Sequence, residues 1–84
     1  MGKHRKVFEH ILSQESDANV GFAELRGLLV RLGFEERVRG SHHIFSMDGI
    51  EEILNIQPRG ANAKSYQVRQ FRDIIMCYNL NMED

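Results

Sequence analysis

The chain has 84 residues, a net charge of −1 and a single cysteine. That length holds one domain, 1–84, able to bury only ~60–65% of its unfolded surface, and one cysteine excludes both a disulfide framework and a cysteine-based zinc site. The charge balance argues against a protein that binds nucleic acid over its whole surface, and no apolar run approaches the ~18 residues a membrane span requires.

The first residues, Met1 to Lys6, are basic, but no apolar signal-peptide core follows them. Lys6 also stands where a myristoylation motif needs Ser or Thr, so a cytoplasmic location is expected. Residues 3–14 then read as a helix, with Val7, Phe8, Ile11 and Leu12 on one face. A polar connection over 13–19 ends at Asn19, the expected cap of the next helix. Residues 20–32 give the clearest helix: Phe22, Leu25, Leu28, Leu29 and Leu32 share a stripe, and Gly33 stops it. Gly27 inside it costs ~1 kcal/mol relative to alanine and is read as a position of close helix packing.

From Phe34 the period shortens to two. Residues 34–39 form a strand, Gly40-Ser41 a bend, 42–47 a second strand and Asp48-Gly49 a tight turn. A third strand spans 50–56, although Glu51-Glu52-Ile53 alternates poorly and its first half reads partly as loop. Pro58 ends the sheet, and 59–64 reads as a small, flexible, basic loop. Ser65 is the expected cap of a last helix, 66–78, whose buried stripe is Val68, Phe71, Ile74, Ile75 and Tyr78. Arg69, Gln70, Arg72 and Asp73 fall off that stripe, and the tail 79–84 is expected to fray.

The order α-α-β-β-β-α predicts an α+β fold, a three-stranded antiparallel sheet with its helices on one face. Its α-β-β-β-α part has the layout of double-stranded-RNA-binding domains, with an extra N-terminal helix in front. Residues 1–19 would be that helix and its connection, 20–78 the core, and 79–84 a tail.

Two features stand out for chemistry. The run from Arg59 to Arg72 carries Arg59, Lys64, Arg69 and Arg72 and no acidic residue, a candidate basic strip. The adjacent pair His42-His43 opens a strand, where alternation sends the two rings to opposite faces. That makes the pair a poor metal site, and His4 and His10 are remote in sequence, so no metal and no cofactor is expected. Strict alternation also sets His42 on the side of Ile44; either Gly40 bulges the strand or Phe45 is the inward residue. A histidine at a strand start is ordinarily a half-exposed residue, and Lys64 and Arg69 are ordinarily solvated charges, so the pattern by itself does not assign catalysis.

Gly33-Phe34 followed by Val38-Arg39-Gly40-Ser41-His42-His43-Ile44-Phe45 resembles the HicA family of bacterial toxins, small ribonucleases that cleave messenger RNA. The blocks Leu54-Asn55-Ile56-Gln57-Pro58 and Ala63-Lys64-Ser65-Tyr66-Gln67-Val68-Arg69-Gln70 resemble one branch of that family, and the likeness runs from about Phe22 to Tyr78. Many better-known members instead end the third strand in Pro-His and open the last helix with Gly-Thr-Leu-Arg. The resemblance implies a double-stranded-RNA-binding-like fold, metal-independent mRNA cleavage and inhibition by a HicB-like antitoxin. The family's catalytic histidine follows the Gly-Ser pair, which here is His42.

RNA supplies its own nucleophile, the 2′-OH beside the phosphodiester. A positioned base removes that proton while cations steady the charge on the phosphoryl oxygens. Imidazole suits the first task because its unperturbed pKa, ~6.5, lies near working pH. His42 is therefore the expected general base or acid. Lys64 and Arg69 at the mouth of the last helix, where the helix terminus itself attracts anions, are the expected phosphate contacts. Arg39 and the Gly40-Ser41 turn complete the RNA-binding set, with Ser41 orienting His42 or bonding a phosphate oxygen; no carboxylate completes a triad around it. The alternatives are a non-catalytic RNA-binding module of the same fold, or a pure interaction protein whose basic strip is covered by an acidic partner.

Overall fold

The computed structural model describes residues 2–13 and 17–82. Its element order is α1 (Lys3–Ser13), α2 (Phe22–Leu32), β1 (Glu35–Arg39), β2 (His42–Met47), β3 (Ile50–Ile56), β4 (Pro58–Arg59), β5 (Asn62–Ala63) and α3 (Ser65–Tyr78). The expected helix end at Gln14, part of the connection after it, and the last two residues of the tail lie outside the described residues.

The main sheet is antiparallel in the order β1-β2-β3, so the expected α+β class is what the chain adopts. Two-residue turns set its register: Gly40-Ser41 brings Arg39 opposite His42, and Asp48-Gly49 brings Met47 opposite Ile50. Gly40 has φ 60° and Gly49 φ 90°, the left-handed backbone that such turns demand and that glycine reaches at least cost. No side chain or backbone lies within 4 Å of a Cβ built on Gly40, so its constraint is dihedral rather than spatial. β3 is strand along its whole length, with Ile50 paired at its start, whereas Glu51-Glu52-Ile53, the part read as partly loop, have no partners in the ladder among the described residues. The tight turn forces Ile50 against Met47, and an irregularity between Phe45 and Met47 absorbs the poor alternation of Glu51-Glu52-Ile53.

Phe45, Leu54 and Ile56 point from one face of the sheet into a core built with Leu25, Leu28 and Leu29 of α2 and Val68, Phe71, Ile74 and Ile75 of α3. Phe34 meets Phe71 edge-on, ring centroids 6.3 Å apart. On the opposite face Glu35, Arg37, Arg39, His42 and Asn55 are exposed. α1 adds Phe8 and Ile11 to the core, and a Cβ on Gly27 would come 2.9 Å from His4 Cε1, the close helix approach expected there.

Several local expectations are corrected. Asn19 does not cap α2; Gly21 occupies the N-cap with no side-chain hydrogen bond. The backbone of 20–22 is committed elsewhere, since Ala63 N donates to Val20 O and Phe22 N donates to Ala61 O, each at 2.9 Å. That contact also orders the expected loop 59–64, which is a β4–β5 hairpin turning at Gly60-Ala61. Pro58 therefore ends the main sheet but opens a second ladder, from the first strand position where a missing N–H is tolerated. Ser65 is the first helical residue of α3 rather than its cap, which is Lys64. Past α3 the chain does not fray at once. Asn79 turns it in the left-handed region at φ 55°, Leu80 packs on the core, and Met82 is buried.

Arg72 is also buried, although the apolar stripe places it outside the core. Its Nη1 donates to Asp17 Oδ1 at 2.7 Å and to Ile11 O at 3.2 Å, and Nη2 donates to Asp17 Oδ2 at 3.2 Å. Bidentate geometry and a backbone carbonyl satisfy the guanidinium, which is the condition for burying it. The contact staples α3 to α1 and to the start of α2's approach. The Arg72 hydrogen bonds hold the Asp17 carboxyl below its ordinary pKa.

Candidate functional site

Alternation along β2 divides its histidines. Phe45 is the inward residue, with 0% exposure, and the bend at Gly40 leaves β2 unbulged at His42. His43 shares the inward face, whereas His42 and Ile44 project from the helix-free face.

His42 sits among neutral polar groups. Its Nδ1 lies 3.1 Å from Asn55 Oδ1 on β3, and its Nε2 lies 3.3 Å from Gln57 Nε2. With an amide oxygen at Nδ1 and an amide nitrogen at Nε2, the matching tautomer carries its proton on Nδ1 and its lone pair on Nε2. The Gln57 amide nitrogen is also 3.5 Å from Ser41 Oγ, and Lys64 Nζ donates to Gln57 Oε1 at 3.2 Å. One short path thus joins the Gly40-Ser41 turn, His42, the end of β3 and the cap residue of α3.

Gln67 holds the end of β3 in place. It is 2% exposed; its Oε1 accepts from Gln57 N at 3.1 Å and its Nε2 donates to Asn55 O at 2.8 Å. Both halves of this buried amide are satisfied, so Asn55 and Gln57 are presented from a braced backbone.

Of the residues expected to contact RNA, Ser41 and Lys64 join His42. Arg39 is its cross-strand partner and projects from the same open face. Arg69 does not join them. Its guanidinium turns toward Asp17, Nε to Oδ2 3.8 Å, the same carboxylate that holds Arg72. The strip Arg59–Arg72 is therefore not one basic surface: one carboxylate attracts its last two arginines, leaving Arg59 and Lys64 at the β4–β5 hairpin and the mouth of α3.

Asn55 and Gln57 are additions that motif reading overlooks. Their signal is the alternation Leu54-Asn55-Ile56-Gln57, which sets the two amides opposite the two buried aliphatics. It does not reveal that they reach a histidine.

His43 is built into the interior. Its Nδ1 is 2.8 Å from Glu36 Oε2, which also accepts from Arg26 Nε at 2.6 Å. Its ring meets Phe22 edge-on at 4.7 Å between centroids. Arg26 chiefly, and His43 after it, hold the Glu36 carboxyl below its ordinary pKa. Among the described residues no group of three or more His, Cys, Asp or Glu side chains stands close enough to hold a metal ion, and no helix is long and apolar enough to cross a membrane. Comparison with protein-family models, with curated proteins and with solved structures finds no match to this chain.

Proposed function

We propose that the chain is an endoribonuclease of the HicA type, an mRNA interferase with a double-stranded-RNA-binding-like α2-β1-β2-β3-α3 core and an added N-terminal helix. The observation that carries this reading is the environment of His42: exposed, held at Nδ1 by Asn55, and with Nε2 beside Gln57, whose amide in turn reaches Ser41 and Lys64. An incoming 2′-OH takes the place of Gln57 Nε2, whose 3.3 Å contact is long for a hydrogen bond. Nε2 accepts the 2′ proton, the 2′ oxygen bonds to the adjacent phosphorus as the bond from phosphorus to the 5′ oxygen breaks, and the same Nε2 returns its proton to the departing 5′ oxygen, giving a 2′,3′-cyclic phosphate, a 5′-hydroxyl and a neutral imidazole. Lys64, released from Gln57, steadies the charge on the phosphoryl oxygens beside the N-terminus of α3, and Arg39 holds a neighbouring phosphate. These steps use only the RNA's own hydroxyl and the chain's side chains, so cleavage should persist in chelator. The partner in this reading is a HicB-like antitoxin that covers the basic edge.

The second reading, a non-catalytic RNA-binding module, is favoured by one observation: Arg72 is clamped by Asp17 and Arg69 turns toward the same carboxylate, so few cations point to His42. One experiment separates the two. RNA is incubated with wild type and with His42→Ala in excess EDTA, and the folding of both proteins is checked by circular dichroism. Cleavage by wild type alone supports the nuclease. Equal cutting by both proteins removes His42 from the mechanism, and salt-sensitive binding without products over hours supports the module.

A further inference from the structure

At Lys64, the β4–β5 hairpin and the first turn of α3 border an open cleft of about 360 Å³. That volume falls within the range of small-ligand sites, ~300–1,000 Å³. Arg59, Asn62, Lys64, Ser65 and Tyr66 line it. Arg59 is exposed and, among the described residues, its side chain makes no ion pair or hydrogen bond. Asn62 is fixed through its backbone, by pairing with Arg59 and by the bridge to Gly21, while its side-chain amide makes no hydrogen bond among those residues. Tyr66 is 57% exposed, an aromatic ring that contributes nothing to the core.

These groups form a particular combination: an open aromatic face, an uncommitted guanidinium, and an amide offering both a donor and an acceptor. Single-stranded RNA is held in this way, with bases stacked on aromatic rings, base edges read by amides and phosphates met by cations. A small anion would use the cations but would leave the ring and the amide idle. We propose that the cleft is a nucleotide subsite, in which a base stacks on Tyr66, Asn62 bonds its edge, and Arg59 with the first turn of α3 takes its phosphate. The ligand's identity as RNA rests on the function proposed above. Since Lys64 borders both this cleft and the Gln57–His42 cluster, the subsite would hold the residue next to the scissile phosphate.

The test is an amide-resolved NMR titration of the whole chain with uridine 3′-monophosphate, adenosine 3′-monophosphate and, separately, inorganic phosphate. Saturable shifts are expected at the Asn62 side-chain amide and at the Ser65 and Tyr66 backbone amides. At least one nucleotide should bind about tenfold more tightly than phosphate, an advantage lost in Tyr66→Ala, since one stacked base contributes on that order. Arg59→Gln, on an exposed side chain, should weaken nucleotide and phosphate together and serves if Tyr66→Ala does not fold. Phosphate binding as tightly as both nucleotides, or no shift at these amides, overturns the subsite. A wild-type protein that takes the nucleotide yet leaves RNA intact removes the nuclease and keeps the subsite; RNA cleavage with a silent cleft does the reverse.

Discussion

On β2, His42 projects from the open face toward two neutral amides, whereas His43, one residue on, projects inward against a carboxylate and a phenyl ring. The same residue type thus meets two different surroundings. Glu36 draws Arg26 of α2 and His43 of β2 onto a single oxygen, so His43 belongs to the joint between helix and sheet. His42 joins no two layers. Its partners hold the ring while leaving it in reach of solvent, the arrangement expected of a group that exchanges protons with a substrate. Under the function proposed above, the working histidine is the one without a carboxylate, and the carboxylate-bound His43 ties helix to sheet.

The sharpest break in that contrast would come from exchanging the histidines' fates. His42→Ala should reduce RNA cleavage by about 10²–10⁴-fold, the usual contribution of a general acid or base, with no loss of melting temperature. His43→Ala should do the opposite, retaining cleavage while removing the Glu36 hydrogen bond and the Phe22 contact. A cost of about 1–2 kcal/mol is expected there, read as a lower midpoint in urea. If His43→Ala abolishes cleavage in a protein that still melts like wild type, the roles are reversed.

Asn55→Ala sharpens the same comparison at lower amplitude. Without the acceptor at Nδ1 the ring is free to change tautomer and orientation, and cleavage should fall about tenfold with little change in stability. Lys64→Ala should likewise reduce cleavage, whereas Arg69→Ala should leave it unchanged because that side chain turns toward Asp17. A larger loss from Arg69→Ala than from Lys64→Ala would mean that the Asp17 contact opens when RNA binds.

Acid affords the gentlest test. Asp17 and Glu36 both have depressed carboxyl pKa values in the folded chain. Their contribution to stability is thus complete above the ordinary carboxyl range and is lost as pH falls through about 4 and below. Urea midpoints measured from pH 6 downward should decline across that window. Glu36→Gln should start from a lower midpoint and decline less steeply.

Much of this layout was legible in the residues. The leucine stripe of α2 and the Gly33 stop needed only helical periodicity, because a buried face repeats every three to four residues whatever it packs against. The two-residue turns at Gly40-Ser41 and Asp48-Gly49 needed only glycine's backbone freedom. Arg72 was illegible, since a guanidinium looks the same in sequence whether it is solvated or clamped by a carboxylate 55 residues away. Lys64 and Ser65 were likewise exchanged as cap and first helical residue, because neither hydroxyl nor amine makes the capping bond that would mark the boundary.

The Gly-Ser-His-His run returns the same division on a smaller scale. Sequence alone determined that the two histidines lie on opposite faces, because strand alternation is a property of the covalent backbone. Which face is the interior, and what each ring meets there, only the tertiary structure decided. If the Met47↔Ile50 pairing continued unbroken, Asn55 would stand opposite His42; the irregularity between Phe45 and Met47 moves the register on, so that Ile44 faces Asn55 and His43 faces Ile56. That step brings Gln57 level with His42, within reach of both Ser41 and Lys64. The turns set each hairpin's starting register, but the shift past Met47 depends on how the bulge and the packing settle together, and no local pattern encodes it.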